Sequence, residues 1–366
     1  MSEKQRPGRI LTPDGFVSGL MTFDTHVLAI ETEAVADSAP MILPGFVDLH
    51  VPGGGGADVM QGADAVRTAA RLHARHGTTS FLPATITAPE DDLTAALAGI
   101  AEVQEERFSG EARVLGAHME GPFINADRLG AQPPHARPPE AEFLAAVCAG
   151  KIVKLATLAP EIEGGMDAIE TLARAGIAVQ IGHTDADYAT ACEALARGAK
   201  GFTHLFNAMS ALHHRAPGVV GAALARAEYA AIIPDGVHVA DGALLAALRA
   251  IPKLFMVTDA TAAAGMPDGE YPLGSHRVTK RGDSVFLDDE TLAGSALTMD
   301  VAFARLLGLG VEIEDASRRV STYPADFIGR QDRGRIAMGS WADFVFLDEQ
   351  MKITEVVVEG EAVAHD

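Results

Sequence analysis

The stretch that decides the fold is Ile42-Leu43-Pro44-Gly45-Phe46-Val47-Asp48-Leu49, an apolar run followed directly by His50. Seven more short apolar runs follow it, at residues 79–83, 114–119, 154–158, 178–181, 201–205, 230–234 and 254–257. Continuous rather than alternating apolar strands are typical of a parallel sheet that is covered on its outer face. Eight such strands joined by helical segments favour an α/β fold of the TIM type, a closed (β/α)8 barrel, over an open doubly wound sheet.

The segments between these runs have the apolar spacing of helices. Residues 64–76 and 189–197 place apolar side chains three and four positions apart, and a glycine, Gly77 or Gly198, follows each segment. Glycine is favoured just beyond a helix C-terminus because the backbone there often takes a positive φ. Further helices are predicted at residues 241–249, 298–308 and 314–322.

Both ends of the chain have a different pattern. Residues 9–11, 16–20 and 26–30 are short β-like runs separated by turn residues, and residues 343–347 and 353–359 show the same pattern near the C-terminus. We therefore predict a small discontinuous β-sandwich domain formed by residues 1–43 and 335–366. The barrel domain would then comprise residues 44–334.

The composition of the 366-residue chain excludes several classes of protein. With 29 Lys and Arg against 50 Asp and Glu, the formal net charge of −21 argues against non-specific nucleic-acid binding. A hydrophobic fraction of 48% excludes a disordered chain, and two cysteines do not indicate a disulfide framework. No apolar run approaches the roughly 18 residues of a transmembrane helix. We expect a cytoplasmic protein with neither a nucleic-acid nor a membrane partner.

Ligand-type residues stand at the ends of predicted strands 1, 3, 5, 6 and 8. They are His50, Glu120, His183, His204 and Asp259. Because the active site of a (β/α)8 barrel lies at the C-terminal ends of its strands, we expect these five side chains to meet at one mouth. Two carboxylates buried together are costly unless a cation neutralises them. The sequence therefore predicts a divalent metal site, with Zn²⁺ first and Fe²⁺, Co²⁺ or Mn²⁺ as alternatives.

Each of these residues also has an ordinary structural explanation. A single strand-end histidine is most often a hydrogen-bonded core residue, Glu120 alone would suit an ion pair, and Asp259 alone would suit a helix cap. It is their joint occurrence at five strand ends of one barrel that favours a metal site.

Several motifs resemble those of one family. Residues 43–50 are similar to the first-strand signature of the amidohydrolase superfamily, and six later segments resemble motifs of the N-acetylglucosamine-6-phosphate deacetylases. The six segments are residues 118–125, 182–186, 203–209, 235–239, 257–261 and 292–298. They follow the family's order and, with the terminal β segments, cover nearly the whole chain.

The resemblance implies hydrolysis of the 2-acetamido group of an amino-sugar 6-phosphate, which gives a free amine and acetate. It implies that Glu120, His183 and His204 hold the catalytic metal. It also implies that Asp259 is the general base for the attacking water and then the acid for the leaving amine. Such roles agree with general chemistry, because a carboxylate can accept a proton from water and return it to nitrogen.

The resemblance further implies where the substrate binds. Phosphate and sugar contacts map onto Asn207, the Ala208 backbone, Arg215 and His238. In the family some of these contacts are supplied across a homodimer interface, which implies a homodimer with a shared phosphate site. Arg215 suits this role because a guanidinium can donate two hydrogen bonds to one phosphate.

The chain departs from the family pattern at two positions. Many members have His-x-His in strand 1, where this chain has His50-Val51-Pro52. Proline offers no ligand atom, so we predict one divalent metal per subunit, with His50 nearby or as a weak ligand. Where the family often has a histidine that contacts the acetyl carbonyl of the substrate, this chain has Gln132. The amide can still donate a hydrogen bond, and His135 is close enough in sequence to substitute.

Two alternatives remain open at this point. One is a related amidohydrolase that acts on N-acetylgalactosamine 6-phosphate or on another N-acyl substrate. The other is a barrel that binds a metabolite without catalysis, which the missing histidine at position 52 would suit. The presence of the predicted metal ligands and of Asp259 argues against the second alternative.

Overall fold

The computed structural model describes residues 3–36 and 38–364. Four strands precede the barrel: Lys4–Thr12 (β1), Gly15–Phe23 (β2), Val27–Thr32 (β3) and Met41–Pro44 (β4). Gly45 then separates β4 from the first barrel strand. A Cβ atom at this position would lie 2.2 Å from the Thr79 side chain, so only glycine fits the close approach. The apolar run at residues 42–49, predicted as one strand, is therefore divided between two sheets.

The barrel alternates strands and helices. Its strands are Phe46–Val51 (β5), Gly53–Gly54 (β6), Ala57–Asp58 (β7), Thr78–Thr85 (β8), Arg113–Val114 (β9), Ala117–Glu120 (β10), Val153–Leu158 (β11), Ala178–Ile181 (β12), Gly201–Phe202 (β13), Tyr229–Ile232 (β14) and Lys253–Met256 (β15). Three of them, β6, β7 and β9, are short strands beside the eight main ones. The helices between them are Ala63–Arg75 (α1), Glu90–Glu105 (α2), Ala141–Gly150 (α3), Gly165–Arg174 (α4), Tyr188–Ala196 (α5), Gly218–Arg226 (α6) and Asp241–Ala250 (α7). Each predicted apolar run overlaps one of the eight main strands.

The barrel sheet is parallel and closes on itself. Strands β5, β8, β10, β11, β12 and β13 are hydrogen-bonded in that order, and β14 pairs with β15. The amide of Leu205 donates to the Ala231 carbonyl (2.8 Å), which joins β13 to β14. The amide of Asp259 donates to the His50 carbonyl (3.0 Å), which joins the end of β15 to β5. The main strands are almost completely buried, as continuous apolar strands covered by helices should be.

An antiparallel sheet that no sequence pattern predicted follows the last barrel strand. Its strands are Gly269–Leu273 (β16), His276–Arg281 (β17), Ser284–Phe286 (β18) and Leu292–Ser295 (β19). Its apolar face packs Leu273 and Val278 against Ile86, which follows β8. This sheet therefore forms one wall above the C-terminal ends of the barrel strands. Three helices come next, Met299–Gly308 (α8), Ile313–Val320 (α9) and Thr322–Phe327 (α10).

The last described strands belong to the same sheet as the first four. Strands Phe344–Leu347 (β20), Ile353–Val358 (β21) and Glu361–Ala362 (β22) join β1–β4 in one seven-stranded sheet of order β22-β21-β20-β4-β1-β2-β3. Its buried face includes an edge-to-face contact between Phe23 and Phe344. The predicted fold class, a TIM-type barrel with a small β domain built from both termini, is confirmed. The exact domain limits at residues 43/44 and 334/335 stay a prediction.

A group of charges with a buried centre links the terminal sheet to the base of the barrel. We call it the basal clamp and define it as Arg107, Arg113, Arg333, Asp343, Glu359 and Glu361. The guanidinium of Arg333, which is only 2% exposed, binds Asp343 (2.5 Å) and Glu359, and it also donates to Ser80 near the start of β8. Arg113 and Arg107 bind the same Glu359 carboxylate at 2.7 and 3.0 Å. The clamp therefore pairs three arginines with three carboxylates.

None of the helices in residues 3–36 and 38–364 combines the length and the apolar character that a membrane crossing requires.

Candidate metal centre and active site

Three predicted metal ligands meet at the mouth of the barrel. Glu120 ends β10, and His183 and His204 follow β12 and β13. The Nε2 atoms of His183 and His204 lie 3.3 and 3.1 Å from Glu120 Oε1, and 3.1 Å from each other. All three side chains are buried. One carboxylate oxygen and two imidazole nitrogens therefore face a common point.

This donor set fits a divalent cation. Ligand atoms about 2.1 Å from a tetrahedral zinc ion are separated by roughly 3.4 Å, close to the separations seen among these three atoms. The Nδ1–H of His183 donates to the Arg128 carbonyl (2.8 Å), which leaves Nε2 free to coordinate a metal. Among the described residues, these three form the one group whose donor atoms are spaced for a metal ion.

The other two predicted residues of the mouth border this group. His50 Nε2 lies 3.3 Å from Glu120 Oε2 and 3.5 Å from Asp259 Oδ1. Both ring nitrogens of His50 are buried and lack a hydrogen bond of good geometry within the described part of the chain. The Asp259 carboxylate is the more accessible of the two acids, with a side chain 14% exposed against 4% for Glu120. We call His50, Glu120, His183, His204 and Asp259 the mouth cluster.

Unusual backbone conformations aim these side chains. His183, His204 and Asp259 have φ values of 49°, 28° and 51°, in the left-handed region that non-glycine residues rarely adopt. Cross-strand hydrogen bonds hold the Asp259 backbone on both sides, because its amide donates to His50 and its carbonyl accepts from Ser295 (2.7 Å). Strain of this kind concentrates at functional sites, where the surrounding structure maintains it.

The pKa shifts of the mouth cluster indicate that its carboxylates favour positive charge beside them. Burial raises the pKa of Glu120, but His50 and His183 outweigh burial and hold that pKa well below its usual value. Burial lowers the pKa of His50, but the charges of Glu120 and Asp259 outweigh it and raise the pKa to about 9. Burial also lowers the pKa of His183, but Glu120 outweighs burial and raises it. For His204, burial dominates and lowers the pKa. No Lys or Arg of the described chain forms an ion pair with either carboxylate.

A cavity of about 360 Å³ opens above the mouth cluster. Four of the predicted substrate-binding residues, Asn207, Ala208, His238 and Gln132, line it together with Glu120, His183, His204 and Asp259. Ala208 is another residue with positive φ (50°). The structure thus brings together eight residues that are separated by up to 139 positions in the chain.

Arg215 does not reach this cavity within one chain. It is exposed, and its guanidinium lies 2.7 Å from His214 Nε2. The phosphate role that the resemblance implied for Arg215 is therefore not completed by the single chain. His135 is exposed too, and it lines a separate groove beside Asp58 and Thr87.

Gln132 has different partners from those expected. Its Nε2 donates to Glu120 Oε2 (2.5 Å), and its Oε1 accepts from the Thr87 amide (2.6 Å). Both ends of the side-chain amide are therefore used inside the protein, although the residue still borders the cavity.

Two other residues of the cavity region were not assigned from the sequence. Asp235 binds His238 Nδ1 at 2.6 Å. Burial lowers the pKa of His238, but Asp235 outweighs burial and raises it, which favours an imidazolium facing the cavity. Arg128 lines the cavity as well and pairs with Asp185. In the sequence, the contact between Asp235 and His238 was indicated only by their three-residue spacing within segment 235–239.

Comparison with known proteins agrees with this geometry. The model of the amidohydrolase family matches residues 41–363. The N-acetylglucosamine-6-phosphate deacetylase of Bos taurus is 37% identical, over 98% of this chain and 93% of its own length. The N-acetylgalactosamine-6-phosphate deacetylase of Escherichia coli O157:H7 is 35% identical over 99% of both chains.

A solved structure shows the same likeness in three dimensions. It is a mutant N-acetylglucosamine-6-phosphate deacetylase of Mycobacterium smegmatis in complex with N-acetylglucosamine 6-phosphate, which is 30% identical and superimposes with a TM-score of 0.92 over the full length of both chains. The chain described here therefore belongs to the amidohydrolase family, in the branch that contains the N-acetylglucosamine-6-phosphate deacetylases.

Proposed function

We propose that this protein is a metal-dependent hydrolase that removes the acetyl group of N-acetylglucosamine 6-phosphate, giving glucosamine 6-phosphate and acetate. The observation that carries the proposal is the meeting of Glu120, His183, His204 and Asp259 at one cavity of suitable size. The full-length similarity to deacetylases of this class supports the same substrate.

We infer one divalent cation per subunit, held by Glu120, His183 and His204, with zinc preferred over iron, cobalt or manganese because two imidazoles and a carboxylate suit zinc best. Such a cation polarises the amide carbonyl and lowers the pKa of water. His50 borders these three donor atoms. Pro52 has no ligand atom that could join His50 in holding a second cation.

Asp259 is the residue placed to move protons. Its carboxylate accepts a proton as the water oxygen bonds to the amide carbon. It then delivers that proton to the nitrogen as the carbon–nitrogen bond breaks, so that acetate and the amine leave. The hydrogen bonds to His50 and Ser295 hold its backbone, and His50 Nε2 lies 3.5 Å from its carboxylate.

The substrate's polar groups have partners at the cavity wall. The His238 imidazole, held by Asp235, and the Asn207 and Ala208 positions are suited to the sugar and its phosphate. Arg215 would complete the phosphate site from the partner subunit of a homodimer, and its exposed position outside the cavity of its own chain supports this proposal. The homodimer and the cytoplasmic location stay predictions.

The direct test is acetate release from the 6-phosphates of N-acetylglucosamine and N-acetylgalactosamine, with both unphosphorylated sugars as controls. We expect the gluco 6-phosphate to be hydrolysed fastest and the unphosphorylated sugars to react far more slowly. Equal rates with and without the phosphate would contradict the proposed substrate class.

A second candidate differs only in the epimer at C4. The E. coli O157:H7 relative that acts on the galactosamine isomer matches this chain over its full length. A higher kcat/KM for the galacto 6-phosphate in the same assay would favour this candidate. A non-catalytic barrel would instead bind less than about half an equivalent of metal and release no acetate after zinc is added.

A further inference from the structure

Gln132 connects the metal centre to the rest of the barrel mouth. The residue is 8% exposed and lies in the segment that follows β10. Its side chain spans Glu120 Oε2 on one side and the Thr87 amide on the other. It therefore contacts a predicted metal ligand directly, at the oxygen that does not face His183 and His204.

The orientation of this amide is fixed by its two partners. A backbone N–H such as that of Thr87 can only donate, so it requires the amide oxygen. A carboxylate can only accept, so it requires the amide nitrogen. The opposite orientation would bring two donors together at Thr87 and two acceptors together at Glu120. One arrangement of the side chain satisfies both ends.

The support for this amide is rigid. Thr87 lies just beyond β8 and is buried, and it packs against Gly121, the residue after Glu120. A Cβ atom at Gly121, which has a φ of 73°, would lie 2.1 Å from Thr87 Oγ1. The backbone N–H of Gln132 donates to the Leu129 carbonyl (2.9 Å). Two neighbouring strand ends, rather than a free loop, set the position of Gln132.

We propose that Gln132 is a positioning residue that assigns the two oxygens of Glu120 to different tasks. The hydrogen bond to Oε2 turns Oε1 toward the imidazoles of His183 and His204 and makes it the single coordinating oxygen. The same bond keeps Oε2 from coordinating a second cation between Glu120, His50 and Asp259. Gln132 thus sets both the affinity for the first metal and the limit of one metal per chain.

This inference rests on the proposed metal centre but goes beyond it, because the resemblance assigned Gln132 to the substrate. The two roles predict different results. A residue that only contacts the acyl group changes KM or kcat and leaves zinc binding unchanged. A residue that positions Glu120 changes zinc binding even when no substrate is present. Partners that orient a metal ligand typically contribute 10–100-fold to metal affinity.

The experiment measures zinc affinity by chelator competition, and zinc content by elemental analysis, on the full chain without substrate. Gln132→Leu keeps the volume but removes both hydrogen bonds, and we expect its affinity for zinc to fall about 10–100-fold. The matched control is Gln104→Leu on α2, where the lost bond joins Gln104 Nε2 to the distant Leu115 carbonyl (2.9 Å). We expect the control to bind zinc as the wild type does.

A second variant keeps the inference testable if Gln132→Leu does not fold. Gln132→Glu retains an oxygen for the Thr87 amide but replaces the donor to Glu120 with another carboxylate. We expect more than one equivalent of zinc per chain, because this carboxylate, Glu120 Oε2, His50 and Asp259 would then surround a second cation. If both Gln132 variants bind one equivalent of zinc per chain with wild-type affinity, the inference about Gln132 is overturned and the proposed function is not. Wild-type protein that binds no zinc would overturn the proposed function and this inference with it.

Discussion

The mouth cluster and the basal clamp are two largely buried groups of charges at opposite ends of one barrel. The free-energy cost of burying charge is offset differently in each. The clamp pairs Asp343, Glu359 and Glu361 with three arginines of the same chain. In the mouth cluster, no lysine or arginine of the described chain pairs with Glu120 or Asp259; the titratable side chains that approach them are histidines, and Gln132 donates to Glu120.

The difference separates a structural charge group from a reactive one. Buried ions need compensation, and a clamp that supplies its own counterions is complete once the chain has folded. A cluster of carboxylates and imidazoles without such counterions is completed from outside, by a cation and by protons. The raised pKa values of His50 and His183 express that same requirement. The two regions should therefore respond differently to mutation, acid and metal.

The largest effect is expected from the mouth, in the variant Asp259→Asn. Asparagine tolerates the left-handed backbone at this position but cannot accept the proton of water. We expect kcat to fall by at least about 1,000-fold, while one equivalent of metal stays bound. The measurement is acetate release together with elemental analysis of the same preparation.

The control for this variant is Asp91→Asn, an exposed change of the same type in the first turn of α2. It should retain wild-type turnover. An Asp259→Asn enzyme with near-normal turnover would show that the proton is carried by another group.

The next effect belongs to the clamp. Arg333→Met leaves Asp343 and part of Glu359 without their buried counterion, so the free energy of unfolding should fall by about 3–5 kcal/mol. Zinc affinity at the mouth should not change. Denaturant unfolding and chelator competition on the same variant measure the two quantities.

Arg281→Met removes an exposed ion pair with Glu290 and provides the comparison. Its cost should stay within about 1 kcal/mol. A similarly small cost for Arg333→Met would mean that the clamp does not stabilise the fold as described.

Acid should weaken the clamp in a predictable pH range. Burial raises the pKa of Glu359, but Arg113 and Arg333 outweigh burial and lower it from 4.5 to about 2. Because the folded pKa is depressed, the ion pairs of Glu359 contribute stability above pH 4.5, and this contribution is lost as the pH falls toward 2. The difference in unfolding free energy between wild type and Glu359→Gln should therefore narrow steadily below pH 4.5. A difference that is constant between pH 6 and pH 2 would contradict this assignment.

The smallest effect tests whether the mouth is complete within one chain. Arg215→Ala should raise KM for the 6-phosphate by about 10-fold, in keeping with the loss of a hydrogen bond to a charged group, and should leave an unphosphorylated substrate unaffected. Arg174→Ala, an exposed arginine paired with Glu170, is the control. An unchanged KM would show that the phosphate site does not include Arg215.

The sequence was most informative where buried strands end. Continuous apolar runs predicted all eight barrel strands, because a parallel sheet covered by helices requires them. His50, Glu120, His183, His204 and Asp259 could be assigned to one mouth because parallel strands in a barrel present their C-terminal ends at the same face.

Other features depend on contacts that no local pattern encodes. The sheet of β16–β19 consists of short strands that mix polar and apolar residues, and it was not predicted. The partners of Gln132 lie 12 and 45 positions away, and the clamp joins Arg113 to Glu359 across 246 positions. Only the closed barrel and the shared terminal sheet bring these residues together.

The most direct test of the account is a crystal structure of the protein soaked in zinc, with anomalous scattering measured on both sides of the zinc absorption edge. We predict one strong peak per chain, in contact with Glu120 Oε1 and the Nε2 atoms of His183 and His204, and no peak at the basal clamp. A mouth without a peak, or a zinc ion that avoids these three side chains, would contradict the proposal that an external cation completes the mouth cluster.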